Sequence, residues 1–194
     1  MADSTAFEER LRRLEAKDEI SELVGRYGFV VDNRDMEGIA DCFLEDAWVL
    51  SKDGKHNSRG KADVVNQYHG RFSFLGPTNH FTHNHIIWFD EQDPDHAYGL
   101  LNAHGEVFRN GQAMMSALRY DDEYRRDADG RWRFQGRMMS YIYYLRFDEI
   151  QQYFGDPMRV RAYDEPQEAD WPDHIETYQR YYEDHPRAAP AGRS

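Results

Sequence analysis

Cysteine is nearly absent: Cys42 is the only one in 194 residues. A lone thiol closes no internal disulfide, so the expected setting is a reducing compartment, the cytoplasm. Long apolar runs are missing too. No stretch approaches the roughly 20 residues that cross a bilayer as a helix, and the polar opening Met1-Ala2-Asp3-Ser4-Thr5 does not read as a signal peptide. Positive charge is in deficit, with 24 Lys and Arg against 36 Asp and Glu, a net charge of −12. An acidic chain repels phosphate backbones and anionic lipid, so neither nucleic acid nor a membrane is an expected partner. There is no Gly-rich phosphate loop, no nucleophile elbow and no dinucleotide fingerprint. By elimination no cofactor is expected, and the expected partner is a small-molecule substrate.

Aromatic residues are abundant: 13 Tyr, 11 Phe and 4 Trp. In a chain that is 40% apolar they fit a large core or an aromatic-lined cavity. Apolar residues recur at three- and four-residue spacing from Phe7 to Val31, which predicts one helix over 6–33, with a possible break near Lys17-Asp18. Asp35 to Leu44 reads as a short second helix and Gly60 to Phe74 as a third, with a short strand from Ala47 to Ser51 between them. Beyond Gly76-Pro77 the period changes to two. Residues 78–89, 97–109, 112–126 and 131–145 read as strands, joined by a polar loop, by Asn110-Gly111 and by Asp127-Ala128-Asp129-Gly130. Helices followed by hairpins predict an α+β fold, with the helices on one face of an antiparallel sheet. A short helix is expected within 172–184, and a loose tail after about 186.

Thr78 to Phe89 holds three of the nine histidines within six residues. Strict alternation places His80, Thr82, Asn84, Ile86 and Trp88 on one face and Phe81, His83, His85, Ile87 and Phe89 on the other. His83-Asn84-His85 is an H-x-H pair of a kind that can ligate a metal, but no third ligand stands at a suggestive spacing, so no metal is expected.

The order of these segments carries a resemblance. Three helices, then Asp46-Ala47-Trp48-Val49, Gly60-Lys61-Ala62-Asp63-Val64-Val65, the histidine strand and hairpins ending in Gly130-Arg131-Trp132-Arg133-Phe134 resemble the SnoaL-like branch of the nuclear transport factor 2-like superfamily. The likeness covers roughly residues 8–145. It extends to members that perform eliminations: scytalone dehydratase, bile-acid 7α-dehydratase and hexachlorocyclohexane dehydrochlorinase. It implies a cone-shaped α+β barrel, three helices packed on a strongly curved antiparallel sheet around a deep pocket. The implied domain is 1–145, with 146–194 as an extension packing on the core or on a neighbouring subunit. A homo-oligomer, with a trimer favoured, is implied as well.

The lyases of this family pair an Asp at the end of the long helix with a His on the strand after the third helix. Asp32 and His80, 48 positions apart, occupy those places. A carboxylate bonded to one imidazole nitrogen fixes the tautomer and stabilises the imidazolium formed when the other nitrogen takes a proton. The alternative is a solvated helix-end carboxylate and a satisfied core histidine. Tyr27, five residues before Asp32, is implied as a hydrogen-bond donor to a substrate oxygen, or else is a core aromatic. His104 is implied as an acid partner. Arg137 is implied as an anchor for negative charge, yet alternation puts it on the solvent face with Arg131, Arg133 and Gln135 unless a bulge at Gly136 re-aims it. Trp48, Phe74, Trp88, Met115 and Tyr141 are candidates to line an apolar pocket for a ring-bearing substrate. The expected activity is a cofactor-independent, dehydratase-type lyase. The alternatives are an isomerase or cyclase of the same fold, or a non-catalytic domain of ligand-binding or dioxygenase β-subunit type.

Overall fold

The computed structural model describes residues 2–187. The expected loose tail falls largely on 188–194, outside the described residues. The first helix, α1 (Ala2–Asp32), runs unbroken through Lys17-Asp18. Its second half carries the periodic core residues Ala16, Ile20, Leu23, Val24, Tyr27 and Val31, all buried. Its first half projects, leaving Phe7, Leu11 and Leu14 exposed. Asp35 caps α2 (Met36–Asp41) by accepting from the Gly38 N–H at 2.9 Å. This helix is shorter than expected, because Phe43 already pairs in the sheet with Phe134. Strand β1 (Phe43–Ser51) therefore starts four residues before the expected Ala47. The three-residue β2 (Asn57–Arg59) was not legible, since Asn-Ser-Arg carries no strand signature; it is held only by pairing with β1. Helix α3 (Lys61–Phe72) buries Val64 and Tyr68.

Four long strands follow: β3 (Leu75–Phe89), β4 (His96–Arg109), β5 (Gln112–Arg126) and β6 (Trp132–Arg146). Asn110 and Gly111 have φ of 50° and 79°, the left-handed pair that a two-residue hairpin turn needs. The six strands form one open sheet in the order β2-β1-β6-β5-β4-β3. All pairings are antiparallel except β1 with β6, which is parallel. The fold is α+β, a six-stranded sheet curved around α1 and α3.

Bulges set which side chains face the interior. In β3, Thr82 pairs with Ala103 but His85 pairs with Leu101, so His83-Asn84 holds one residue too many. In β6 the register slips at Gln135 and again at Ile142. Each slip reverses the alternation beyond it. After the first, His85, Ile87 and Phe89 turn inward and Trp88 turns outward. After the second, Arg137, Met139 and Tyr141 turn inward.

Strand β6 outruns β1, and the chain after it covers the open edge. Tyr144 donates to the Arg159 carbonyl at 3.0 Å and accepts from the Arg161 N–H at 2.7 Å, while the Tyr141 N–H donates to the Asp170 carboxylate at 2.7 Å. Val160, Ala162 and Ala169 are buried there. Helix α4 (Ile150–Tyr153) lies beside β6, and α5 (Glu176–Asp184) buries no side chain.

Candidate active site

Asp32 ends α1 and His80 stands near the start of β3. The His80 Nδ1 lies 2.6 Å from Asp32 Oδ1, and the His80 backbone N–H donates to Oδ2 at 2.8 Å. The Thr78 hydroxyl donates to Oδ1 at 2.7 Å. Burial alone would push the Asp32 carboxyl up. The hydrogen bonds and charge of His80, with the Thr78 hydroxyl, outweigh it and hold the acid below its ordinary value. An ionised Asp32 accepts only, so the proton between the two sits on His80 Nδ1 and the Nε2 lone pair is free. Helix and strand lie close at Gly28, where a Cβ would come into ordinary van der Waals contact with His80 Cβ at 3.4 Å.

Arg34 completes the support. It sits in the left-handed region at φ 59°, where its guanidinium reaches Val31 O at 2.8 Å, Thr78 Oγ1 at 2.8 Å and Gly76 O at 2.6 Å. It also stacks 4.1 Å over the Phe72 ring. Its role was not legible, because nothing in Asn33-Arg34-Asp35 tells of a contact 44 residues away.

His80 and Thr78 line an interior cavity of about 40 Å³. Its walls are aromatic and aliphatic: Phe72, Leu118, Met139, Tyr120, Tyr141, Tyr144 and Tyr163. Burial raises the Tyr120, Tyr141 and Tyr163 phenols above their ordinary values, so they stay neutral donors. Arg71, Arg109 and His56 face the same space. A larger cleft of about 240 Å³, beside the first half of α1, is lined by Glu9, Glu15, Glu19, Asp90 and Asp95 among others and holds no histidine.

The remaining expected site residues divide. Tyr141 lines the cavity. Tyr27 is buried beside it, with its hydroxyl 2.5 Å from that of Tyr68. Arg137 does turn inward, but the slip is at Gln135 rather than Gly136, and its guanidinium is committed in a two-pronged ion pair to Asp122 at 2.7 Å. His104 faces the outer side of the sheet, 2.6 Å from His83, because the inward positions of β4 are Leu101, Ala103 and Gly105. It does not reach the cavity. Trp88, reversed by the bulge, stacks on Tyr98 and is 48% exposed. Trp48 lies over Gly136, Phe74 is exposed under Arg109, and Met115 packs with Tyr143 away from the interior. None of these four is a cavity wall. His85 is corrected in the other direction. It faces inward, 3.1 Å from the Tyr124 hydroxyl, which donates to Asp122 at 2.8 Å. The H-x-H pair is thus split across the sheet.

A family model for a SnoaL-like domain matches residues 12–138. The chain belongs to the SnoaL-like domain family. No curated protein matches it. Solved structures share the fold of this SnoaL-like domain. LinA type 3, a hexachlorocyclohexane dehydrochlorinase from Novosphingobium barchaimii, is 20% identical, with 71% of this chain and 94% of that one covered and a TM-score of 0.63. A scytalone dehydratase candidate from Novosphingobium aromaticivorans is 19% identical over 73% and 91% of the two chains, TM-score 0.62. An aromatic ring hydroxylase candidate from the same species is 25% identical over 69% and 94%, TM-score 0.63.

Proposed function

We propose that this SnoaL-like domain is a cofactor-independent lyase of dehydratase type, acting on a small ring-bearing metabolite. The observation that carries this reading is the Asp32–His80 contact of 2.6 Å in the wall of an interior cavity whose lining includes four tyrosines. His80 Nε2 takes a proton from a carbon of the substrate. The electron pair of that C–H bond forms the new double bond as the neighbouring C–O bond breaks. The proton passes from the imidazolium to the departing hydroxyl, which leaves as water and returns His80 to its starting state. Ionised Asp32 stabilises the transient imidazolium, and Thr78 and Arg34 hold Asp32 in place. Neutral tyrosine hydroxyls steady the leaving oxygen. Two structural relatives bear the names dehydrochlorinase and dehydratase, both of which denote eliminations, and this supports the class.

A panel of ring-bearing alcohols, screened by mass spectrometry for loss of one water, tests the reading. His80→Ala and Asp32→Asn are each expected to lower turnover by about 10²-fold or more. Near-normal turnover in either variant would refute the dyad.

A further inference from the structure

The His80 cavity contains more positive charge than the dyad chemistry needs. Arg71, in the last turn of α3, points a guanidinium into it, and its Nη1 is buried without a hydrogen-bond partner among the described residues. Arg109, from β4, faces the same space, with its Nε donating to the Ala162 carbonyl at 3.1 Å. Among the described residues neither guanidinium has a carboxylate within ion-pair reach. Asp53, the acid that acts on the neighbouring His56, accepts from the Ser51 hydroxyl and the Lys55 N–H through Oδ1, while its Oδ2 is buried without a hydrogen-bond partner and outside ion-pair reach of either guanidinium among the described residues. Two buried arginines are matched by acids, Arg137 by Asp122 and Arg133 by Asp41, Asp127 and Asp129, whereas Arg71 and Arg109 are half-buried; Arg119, half-buried as well, also has a buried nitrogen without a partner among the described residues.

The cationic field leaves its mark on His56. Burial first, and then Arg71 and Arg109, push its imidazole down to about 3 against the pull of Asp53. His56 is therefore neutral and adds no charge of its own. A guanidinium withdrawn from water without an anion is unfavourable. Such a group on a cavity wall fits a ligand that brings the anion. Planar guanidinium donors match a carboxylate in two-pronged geometry.

Resting on the lyase reading above, we infer that the substrate is an acid: a ring-bearing hydroxycarboxylate whose carboxylate binds between Arg71 and Arg109 while its ring lies among the cavity tyrosines. The arrangement also suits the chemistry. An ionised carboxylate resists further negative charge on the adjacent carbon, and two guanidiniums relieve that resistance as His80 takes the proton.

Calorimetric titration with trans-cinnamate and with trans-cinnamamide, its neutral isostere, tests the inference. The wild-type protein is expected to bind cinnamate at least tenfold more tightly than the amide. Arg71→Met should abolish that preference, and Arg71→Lys should retain part of it. Arg109→Met should weaken it. His80→Asn should leave it unchanged. If the wild-type protein binds cinnamate no more tightly than the amide, or binds neither, the acid-binding site is overturned whatever the variants do. A preference that survives Arg71→Met combined with Arg109→Met overturns it as well. The outcomes separate from those of the lyase test. Loss of turnover in the His80 variants without a carboxylate preference leaves the base standing and removes the acid. A carboxylate preference with a fully active His80→Asn does the reverse.

Discussion

At the residue scale, Asp32 links the stability of the molecule to its chemistry. Its carboxyl is held below the ordinary value, despite burial, by His80 and Thr78. A group whose folded value is depressed contributes stability above its unfolded value of about 3.9 and loses it as pH falls through the folded value. Asp32→Asn removes that contribution. The expected outcome is a melting temperature below that of the wild-type protein at pH 7, with the gap closing as pH falls below about 4. Thermal scans of both proteins from pH 7 to pH 3 check this. A gap that stays constant, or widens in acid, would mean that the carboxylate is not held by the contacts described.

At the element scale, the two bulges in β6 decide what the interior receives. The slip at Gln135 turns Arg137 inward, and Trp48 fills the space that a side chain at position 136 would take. A Cβ added at Gly136 would lie 2.1 Å from the Trp48 ring. Gly136→Ala is therefore expected to destabilise the fold by about 1–3 kcal/mol, the usual cost of overpacking a tight contact. Trp48→Ala in the same chain should relieve the clash, so the double variant should lose less than the two single losses added. Urea titrations of the four proteins give the comparison, and strict additivity would show that the two positions do not meet. The same elements mark how far the sequence could be read. The spans of β4, β5 and β6 were legible from alternation and from Asn110-Gly111, because both signals are local. The slips at Ile142 and His83-Asn84 were not, and the one at Gln135 was raised only as a bulge one residue on, at Gly136, because register belongs to a pair of strands and only one is visible at a time. That is why Trp88 was expected inside and lies outside, and why His85 was expected opposite His80 and lies on its side. The pairing of Asp32 with His80 was anticipated from the family spacing, not from any local property of either residue. Arg71 and Arg109 carried no local signal: each reads as an ordinary surface cation until the sheet curls over it.

At the scale of the whole molecule, the outer side of β3 and β4 is one of the surfaces where large apolar side chains stand exposed among the described residues. Phe81, Ile86, Trp88 and Phe108 stand exposed on these two strands. Large apolar side chains left exposed on one side of a sheet fit an association surface. We propose that the protein assembles as a homotrimer through this face. Light scattering on the eluting protein should give three times the 23.0 kDa of the chain. Ile86→Glu combined with Trp88→Glu should reduce it to one, since burying two uncompensated carboxylates in each contact outweighs the apolar gain. Both positions point away from the cavity, so the dissociated variant should keep its fold. Its turnover then separates two arrangements of the trimer. Unchanged turnover means that each chain closes its own site, as the cover that residues 159–171 place over β6 implies. Turnover lost on dissociation, with the fold intact, means that a neighbouring chain supplies part of the wall. A wild-type protein that elutes at the mass of a single chain would remove the trimer and leave this patch to another partner.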